Sequence, residues 1–246
     1  MKLLSHIGSY ILLMKRALSR PEKFQIIYRQ TMKEIEKVGI NSFPIVVIIS
    51  IFVGAVITIQ TNYNIESPLF PRYAVGVTVR DSLLLEFSST MVALILAGKV
   101  GSSIASELGM MRVTEQIDAL EVMGINSASY LILPKMIAAI IFFPVLCLLS
   151  MILGIAGGYL ACIFSELISP SDYIYGIQYA FRPYYISYAL TKVVFYAIII
   201  TSVSSYLGYN VSGGAIEVGR ASTRAVVRSS VFILLINLVL TRLILQ

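Results

Sequence analysis

Five long runs of apolar residues constrain this chain more than any other feature, because a helix needs about 20 mostly apolar residues to cross a bilayer. They fall at residues 44–61, 83 to about 104, about 137–164, 186–207 and 231–245. The first is just long enough, and Pro44 suits a first helical turn after Asn41 and Ser42. The third is expected to kink at Pro144, and the short fifth can begin near Ala225. With 57% hydrophobic and 13% charged residues, against about 25% charged in soluble domains, the expected fold is an all-α polytopic membrane protein.

The net charge of +6 gathers at the N-terminus, in Lys2, Lys15, Arg16, Arg20, Lys23, Arg29, Lys33 and Lys37. That pattern suits a membrane surface before nucleic acid, which is not an expected partner. Leu3, Ile7, Ile11, Met14 and Leu18 recur at spacings of three and four, so an amphipathic helix lying in the interface is expected, ended by Pro21. A second surface segment is expected over 24–38, where Ile27, Met32 and Ile35 stand among basic residues. Ser5, His6, Ser9, Lys15 and Arg16 interrupt the first helix, and no small-residue cleavage site follows, so no removable secretory signal is expected. The expected organisation is one domain over 1–246, with interfacial helices over 1–40 and a transmembrane bundle over 44–246.

Lysine and arginine orient the chain. With the N-terminus in the cytoplasm, thirteen fall inside: the eight above with Arg112, Lys135, Arg220, Arg224 and Arg228. Four fall outside, Arg72, Arg80, Arg182 and Arg242, so N-in and C-out is the expected topology. Tyrosines over 173–188 fit an outer aromatic belt and loop.

Enzyme chemistry finds little material. Cys147 and Cys162 would stand about 22 Å apart on one helix and cannot pair with each other. With His6 as the sole histidine, neither a metal site nor a Cys-His nucleophile is expected, and no cofactor. The stretch from Gly214 to Ala221 has glycines like a phosphate-binding loop, but Arg220 and Ala221 stand where Lys and Ser or Thr are needed. Any ATP is expected to be handled by another subunit.

Residues 97–124 read AGKVGSSIASELGMMRVTEQIDALEVMG. Ala97, Gly101 and Ala105 form one row of small residues and Gly98, Ser102 and Ser106 another, which lets a second helix backbone come close. Such rows can simply knit one bundle, as Gly154 and Gly158 are expected to do. From Glu107 onward, Leu108, Val113, Ile117 and Leu120 can share one side of an amphipathic helix, with Glu115, Asp118 and Glu121 on the other. That helix is expected to run without a turn and to be pressed by a soluble partner.

Glu86, Lys99 and Lys192 lie inside spans, where charge is costly. Glu86 is close enough to the outer end to be solvated. Lys192 reads either as a cavity-facing cation for an anionic headgroup or as an ordinary interfacial lysine. These charges are expected at different depths, which argues against an intramembrane lipid-modifying enzyme. An ion-coupled secondary transporter would need inverted repeats, and none is evident.

The segment GKVGSSIASELGMMRVTEQIDALEVMG resembles the signature of the MlaE-type permeases, membrane subunits of ABC transporters that move phospholipids. KVVFYAIIITSVSSYLGYNVSGGAIEVGRASTRAVVRSSVFILLINLVLT is similar to that family's C-terminal block. The likeness implies five spans, an interfacial helix, a homodimer, two ABC ATPase subunits, a periplasmic MCE-domain protein and, in some systems, a STAS-domain protein. It implies a bacterial inner-membrane location and a translocation subunit without catalytic residues. Glu107, Gly109, Met111, Arg112, Thr114, Glu115, Gln116 and Asp118 match the block that couples to the ATPase. Lys192 matches a lysine facing the lipid path, with Tyr196 and Lys99 as further candidates. Lys99 stands where arginine is commoner in the family, keeping the charge but losing bidentate geometry.

Overall fold

A computed structural model describes residues 2–19, 24–65, 71–165 and 168–245. Those residues are mostly helical and contain no strand. The helices are α1 (Lys2–Leu18), α2 (Phe24–Glu34), α3 (Phe43–Asn64), α4 (Ala74–Ser82), α5 (Val92–Leu96), α6 (Ser102–Val113) and α7 (Gln116–Val122). Then follow α8 (Ser127–Ser165), α9 (Pro170–Gln178), α10 (Tyr184–Tyr209) and α11 (Ala215–Leu245). Wide π-helical turns at Ile35–Gly39, Leu83–Met91 and Ala97–Gly101 and a 3-10 turn at Ile40–Ser42 join several of these into longer rods.

Among the described residues five rods are long and apolar enough to cross a membrane: Gln25–Asn64, Ala74–Val113, Ser127–Ser165, Tyr184–Tyr209 and Ala215–Ile244. The number matches the sequence reading; the lengths do not. Span 3 begins ten residues before the expected 137, so Lys135 belongs to a helix and not to a loop. Span 5 begins at Ala215, which places Arg220, Arg224 and Arg228 on its first turns. The segment over 24–38, expected as a separate surface helix, runs straight into span 1. Hydropathy marks only the part of a rod that hydrocarbon would cover, and a helix continues through polar sequence wherever packing or ion pairs hold it. Pro21, expected to end α1, lies outside the described residues, as do Arg20 and Lys23; α1 ends at Leu18. The α8 helix continues through Pro134 and Pro144, each of which leaves the carbonyl four residues earlier without its amide donor.

By contacts the chain forms two units, residues 1–42, 93–143 and 194–242 in the first and 43–92, 144–193 and 243–246 in the second. In the first, Leu13 and Ala17 bury one face of α1, and the Tyr10 hydroxyl donates to Ser202 Oγ at 2.8 Å. Ile7, Ile11, Leu12 and Leu18 remain exposed on α1, an apolar stripe of the kind that beds a helix in the interface. The row Ala97, Gly101, Ala105 packs on α10: a Cβ on Gly101 would stand 2.9 Å from Ser204 Oγ, and one on Gly208 2.6 Å from the Ala105 carbonyl oxygen. That row therefore knits helices of this chain together, whereas Gly98 of the other row has open space beside it.

The second unit has a core of Ile57, Val75, Val79, Leu83, Cys162, Ile168 and Tyr173. Backbones nearly touch where Gly54 meets Gly154 and Gly157 meets the Ile51 carbonyl. Arg80, 2% exposed, donates to the carbonyls of Ile177 and Tyr179 at 2.9 and 2.6 Å, so it caps the end of α9. Its Nη2 lies 2.8 Å from Asp81.

Candidate functional site

The expected turn-free coupling helix is broken. Helix α6 stops at Val113, Glu115 adopts the left-handed conformation with φ 59°, and α7 starts afresh at Gln116. The reversal is held from both sides. Glu115 donates its amide to the Arg112 carbonyl at 3.1 Å and accepts from the Ala119 amide at 2.9 Å, while Arg112 Nη1 reaches Asp118 Oδ1 at 2.5 Å. Left-handed backbone is strained for a residue with a Cβ, so these bonds fix a corner that a continuous helix would not make.

Burial sorts the eight block residues. Leu108 and Ile117 are fully buried and anchor the corner as the periodicity predicted. Gly109 lies against Val218 and Val211, where a Cβ would come within 3.1 and 3.3 Å. Met111 and Arg112 are half-buried; Thr114, Glu115, Gln116 and Asp118 are exposed. Beyond them Val122 and Met123 stand 88% and 66% exposed, an apolar tip beside the acids.

Glu107 and Glu121 are instead tied to other parts of the fold, Glu121 while remaining exposed. Glu107 turns inward: its Oε2 accepts from Lys135 at 2.9 Å and its Oε1 from Lys37 at 3.2 Å. Lys135, 2% exposed, also reaches Glu34 at 2.7 Å, so α2, α6 and α8 meet at one lysine. Glu121, expected on the acidic face, accepts from Ser127 at 2.8 Å and Tyr209 at 2.9 Å and pairs with Arg16 at 3.0 Å. Asn126 donates to the carbonyls of Arg16 and Ser19, closing the C-terminal end of α1. No local signal could have exposed these links, since Lys135 lies 101 residues from Glu34 and Glu121 is far along the chain from Arg16.

Burial pushes the Glu121 carboxyl up, but the Ser127 and Tyr209 hydrogen bonds, with the charges of Arg16 and Arg112, outweigh it and hold the group below its ordinary 4.5. A carboxyl with a lowered folded value stabilises the fold above its unfolded value and loses that contribution as pH falls through the folded one. Thermal unfolding of the detergent-solubilised chain is therefore expected to drop as pH is lowered from about 5, and Glu121→Gln is expected to flatten that slope. An unchanged slope in the variant would remove Glu121 from the corner's acid response.

The charges inside the spans pair up. Lys192 is fully buried; its Nζ lies 2.9 Å from Glu86 Oε1, 2.9 Å from the Tyr188 hydroxyl and 4.6 Å from that ring's centre. The expectation that Glu86 and Lys192 lie at different depths is corrected by this contact. Glu86 sits in the π-helical stretch Leu83–Met91, and Leu85 in the same stretch offers its carbonyl to Lys192 at 3.4 Å. In the first unit, Lys99 occupies the second wide turn of the same span and donates to the Asn41 carbonyl. The Leu85 carbonyl, in the wide turns of Leu83–Met91, thus serves as an acceptor for the buried Lys192. Tyr196 is buried and donates to Asn237 at 2.9 Å. Among the described residues no three of His, Cys, Asp and Glu gather as metal ligands.

The sequence profile of the family described as "Permease MlaE" matches residues 31–243. The chain belongs to this family. The MlaE-family chain is 35% identical over 242 residues to a "Probable ABC transporter permease protein" of Rickettsia bellii, with 98% of this chain and 93% of that protein covered. A protein of the same description from Synechocystis is 33% identical, covering 89% and 82%. The "Intermembrane phospholipid transport system permease protein MlaE" of Haemophilus influenzae is 29% identical, covering 85% and 80%. Family membership and five apolar rods make the chain a multi-pass membrane permease.

Proposed function

We propose that the chain is the non-catalytic translocation subunit of an ABC transporter that moves phospholipid between the bacterial inner membrane and a periplasmic MCE-domain partner. It works as a homodimer, N-in and C-out, with two copies of an ATPase subunit beneath it and, in some systems, a STAS-domain protein. ATP binding closes the ATPase pair, presses the two α6–α7 corners and narrows an outward-facing cavity, expelling or admitting lipid. The chain forms and breaks no covalent bond.

The observation that carries this reading is the corner itself. An exposed acidic and apolar tip, Thr114, Glu115, Gln116 and Asp118 with Val122 and Met123, is anchored by the fully buried Leu108 and Ile117. A short helix held so firmly, yet so exposed, suits transmission of a push from a partner. The name of the Haemophilus influenzae relative supports phospholipid as cargo, and the Lys192–Glu86 pair supports a polar feature along the path. Replacing both Glu115 and Asp118 with lysine is expected to cut co-purification of the ATPase subunit about tenfold or more, through like-charge juxtaposition and loss of the Arg112 clasp. Unchanged recovery of the ATPase would place the docking surface elsewhere.

A further inference from the structure

We propose that the first turns of α11, facing the end of α10, hold the phosphate of a phospholipid headgroup. Arg220, Arg224 and Arg228 recur every four residues on α11 and so share a face. Like charges at that spacing destabilise a helix, and the single carboxylate nearby is divided: Glu217 pairs with Arg220 at 2.5 Å and with Arg224 at 3.1 Å. Arg228 has no hydrogen-bond or ion-pair partner among the described residues.

A cavity of about 190 Å³ opens between Tyr206, Asn210, Ser212, Glu217, Arg224 and Arg228. That is the liquid volume of about six water molecules, enough for a phosphate group with some hydration. Two guanidiniums with hydroxyl and amide groups around them fit phosphate oxygens, which take bidentate pairs from arginine.

Depth along α11 indicates whose phosphate it is. From Val231 to Val239 the helix shows Val231, Phe232, Leu234, Leu235, Leu238 and Val239 outward, and Arg228 and Arg242 bracket this band. The two arginines are about 21 Å apart along the helix, less than the ~30 Å hydrocarbon thickness, so both side chains reach outward to the headgroup layers. Arg228 thus lies at the level where lipid phosphates lie, with its cavity beside it. The site seats α11 in its leaflet and does not rest on the transport reading.

The test uses the full chain, delipidated in detergent, and native mass spectrometry with three probes: dioleoyl phosphatidylglycerol, dioleoylglycerol and inorganic phosphate. Phosphatidylglycerol is expected to bind about tenfold more tightly than dioleoylglycerol, which has the same acyl chains without the phosphate. Arg228→Gln breaks no hydrogen bond or ion pair among the described residues and is expected to abolish most of that difference, whereas Arg228→Lys keeps it within about threefold. Arg182→Gln, on the loop before α10, is expected to change nothing. Equal binding of the two lipids, or undiminished phosphatidylglycerol binding by Arg228→Gln, would overturn the site. Displacement of the lipid by millimolar inorganic phosphate would assign the cavity to a soluble phosphate and overturn the headgroup assignment.

Discussion

Lys135→Met is expected to destabilise the chain by about 3–5 kcal/mol, the range for removing one partner of a buried ion pair, and to lower its melting temperature by about 10 °C. The lysine side chain is 3% exposed and lies between Glu34, 13% exposed, and Glu107, 34% exposed. Taking away the cation leaves two acids facing one another, with Glu34 poorly solvated. Lys37 still reaches Glu107 but not Glu34, and its own side chain is 58% exposed. Lys37→Met is accordingly expected to cost about 1 kcal/mol or less. Adding Glu34→Gln to Lys135→Met removes the stranded charge and is expected to recover part of the loss. Melting curves of the four proteins decide the matter: equal shifts for the two lysine variants would show that the network is not centred on Lys135.

That network marks the boundary of what the sequence made legible. Spans were readable because hydrocarbon demands a run of apolar residues, a constraint written locally into the chain. The row Ala97, Gly101 and Ala105 and the buried Leu108 and Ile117 were readable for the same reason, since a 3.6-residue period decides which side faces in. Ion pairs obey no such period. Glu107 looks the same in sequence whether it meets a partner subunit or Lys135, and only the packing of α2 and α8 against α6 distinguishes the two. Glu121 stays in phase with Asp118 on α7 and is exposed like it, but it meets Arg16, Ser127 and Tyr209, partners that the pattern of acids does not name. The corner was invisible because a glutamate at a positive φ carries no signature of the kind that glycine gives at Gly124. Extra helical turns before span 3 were missed because Lys135 is satisfied by Glu34 and Glu107 from other helices, and those before span 5 because Arg220 and Arg224 pair with Glu217 on α11 itself.

The intramembrane pair predicts an asymmetry. Lys192 is fully buried, whereas the Glu86 side chain is 40% exposed and also accepts from Thr90 at 3.2 Å. Glu86→Ala strands an ammonium with only the Tyr188 hydroxyl and ring and the Leu85 carbonyl to compensate it, and is expected to cost about 3 kcal/mol or more. Lys192→Met leaves Glu86 with the Thr90 hydroxyl still donating to it and puts an apolar stem in the vacated space, so about 1 kcal/mol is expected. The double variant is expected to sit near Lys192→Met, because the stranded cation is gone. Melting temperatures of the three proteins would refute this account if Lys192→Met proved the more damaging. The proposed lipid-path role is separable from stability: lipids co-purifying with the chain and its ATPase subunit are expected to lose phospholipid enrichment in Lys192→Met even though that variant is the milder one. Unchanged enrichment would confine the pair to holding the π-helical stretch against α10, where its geometry already gives it work, and would leave the path to be sought along other faces of the spans.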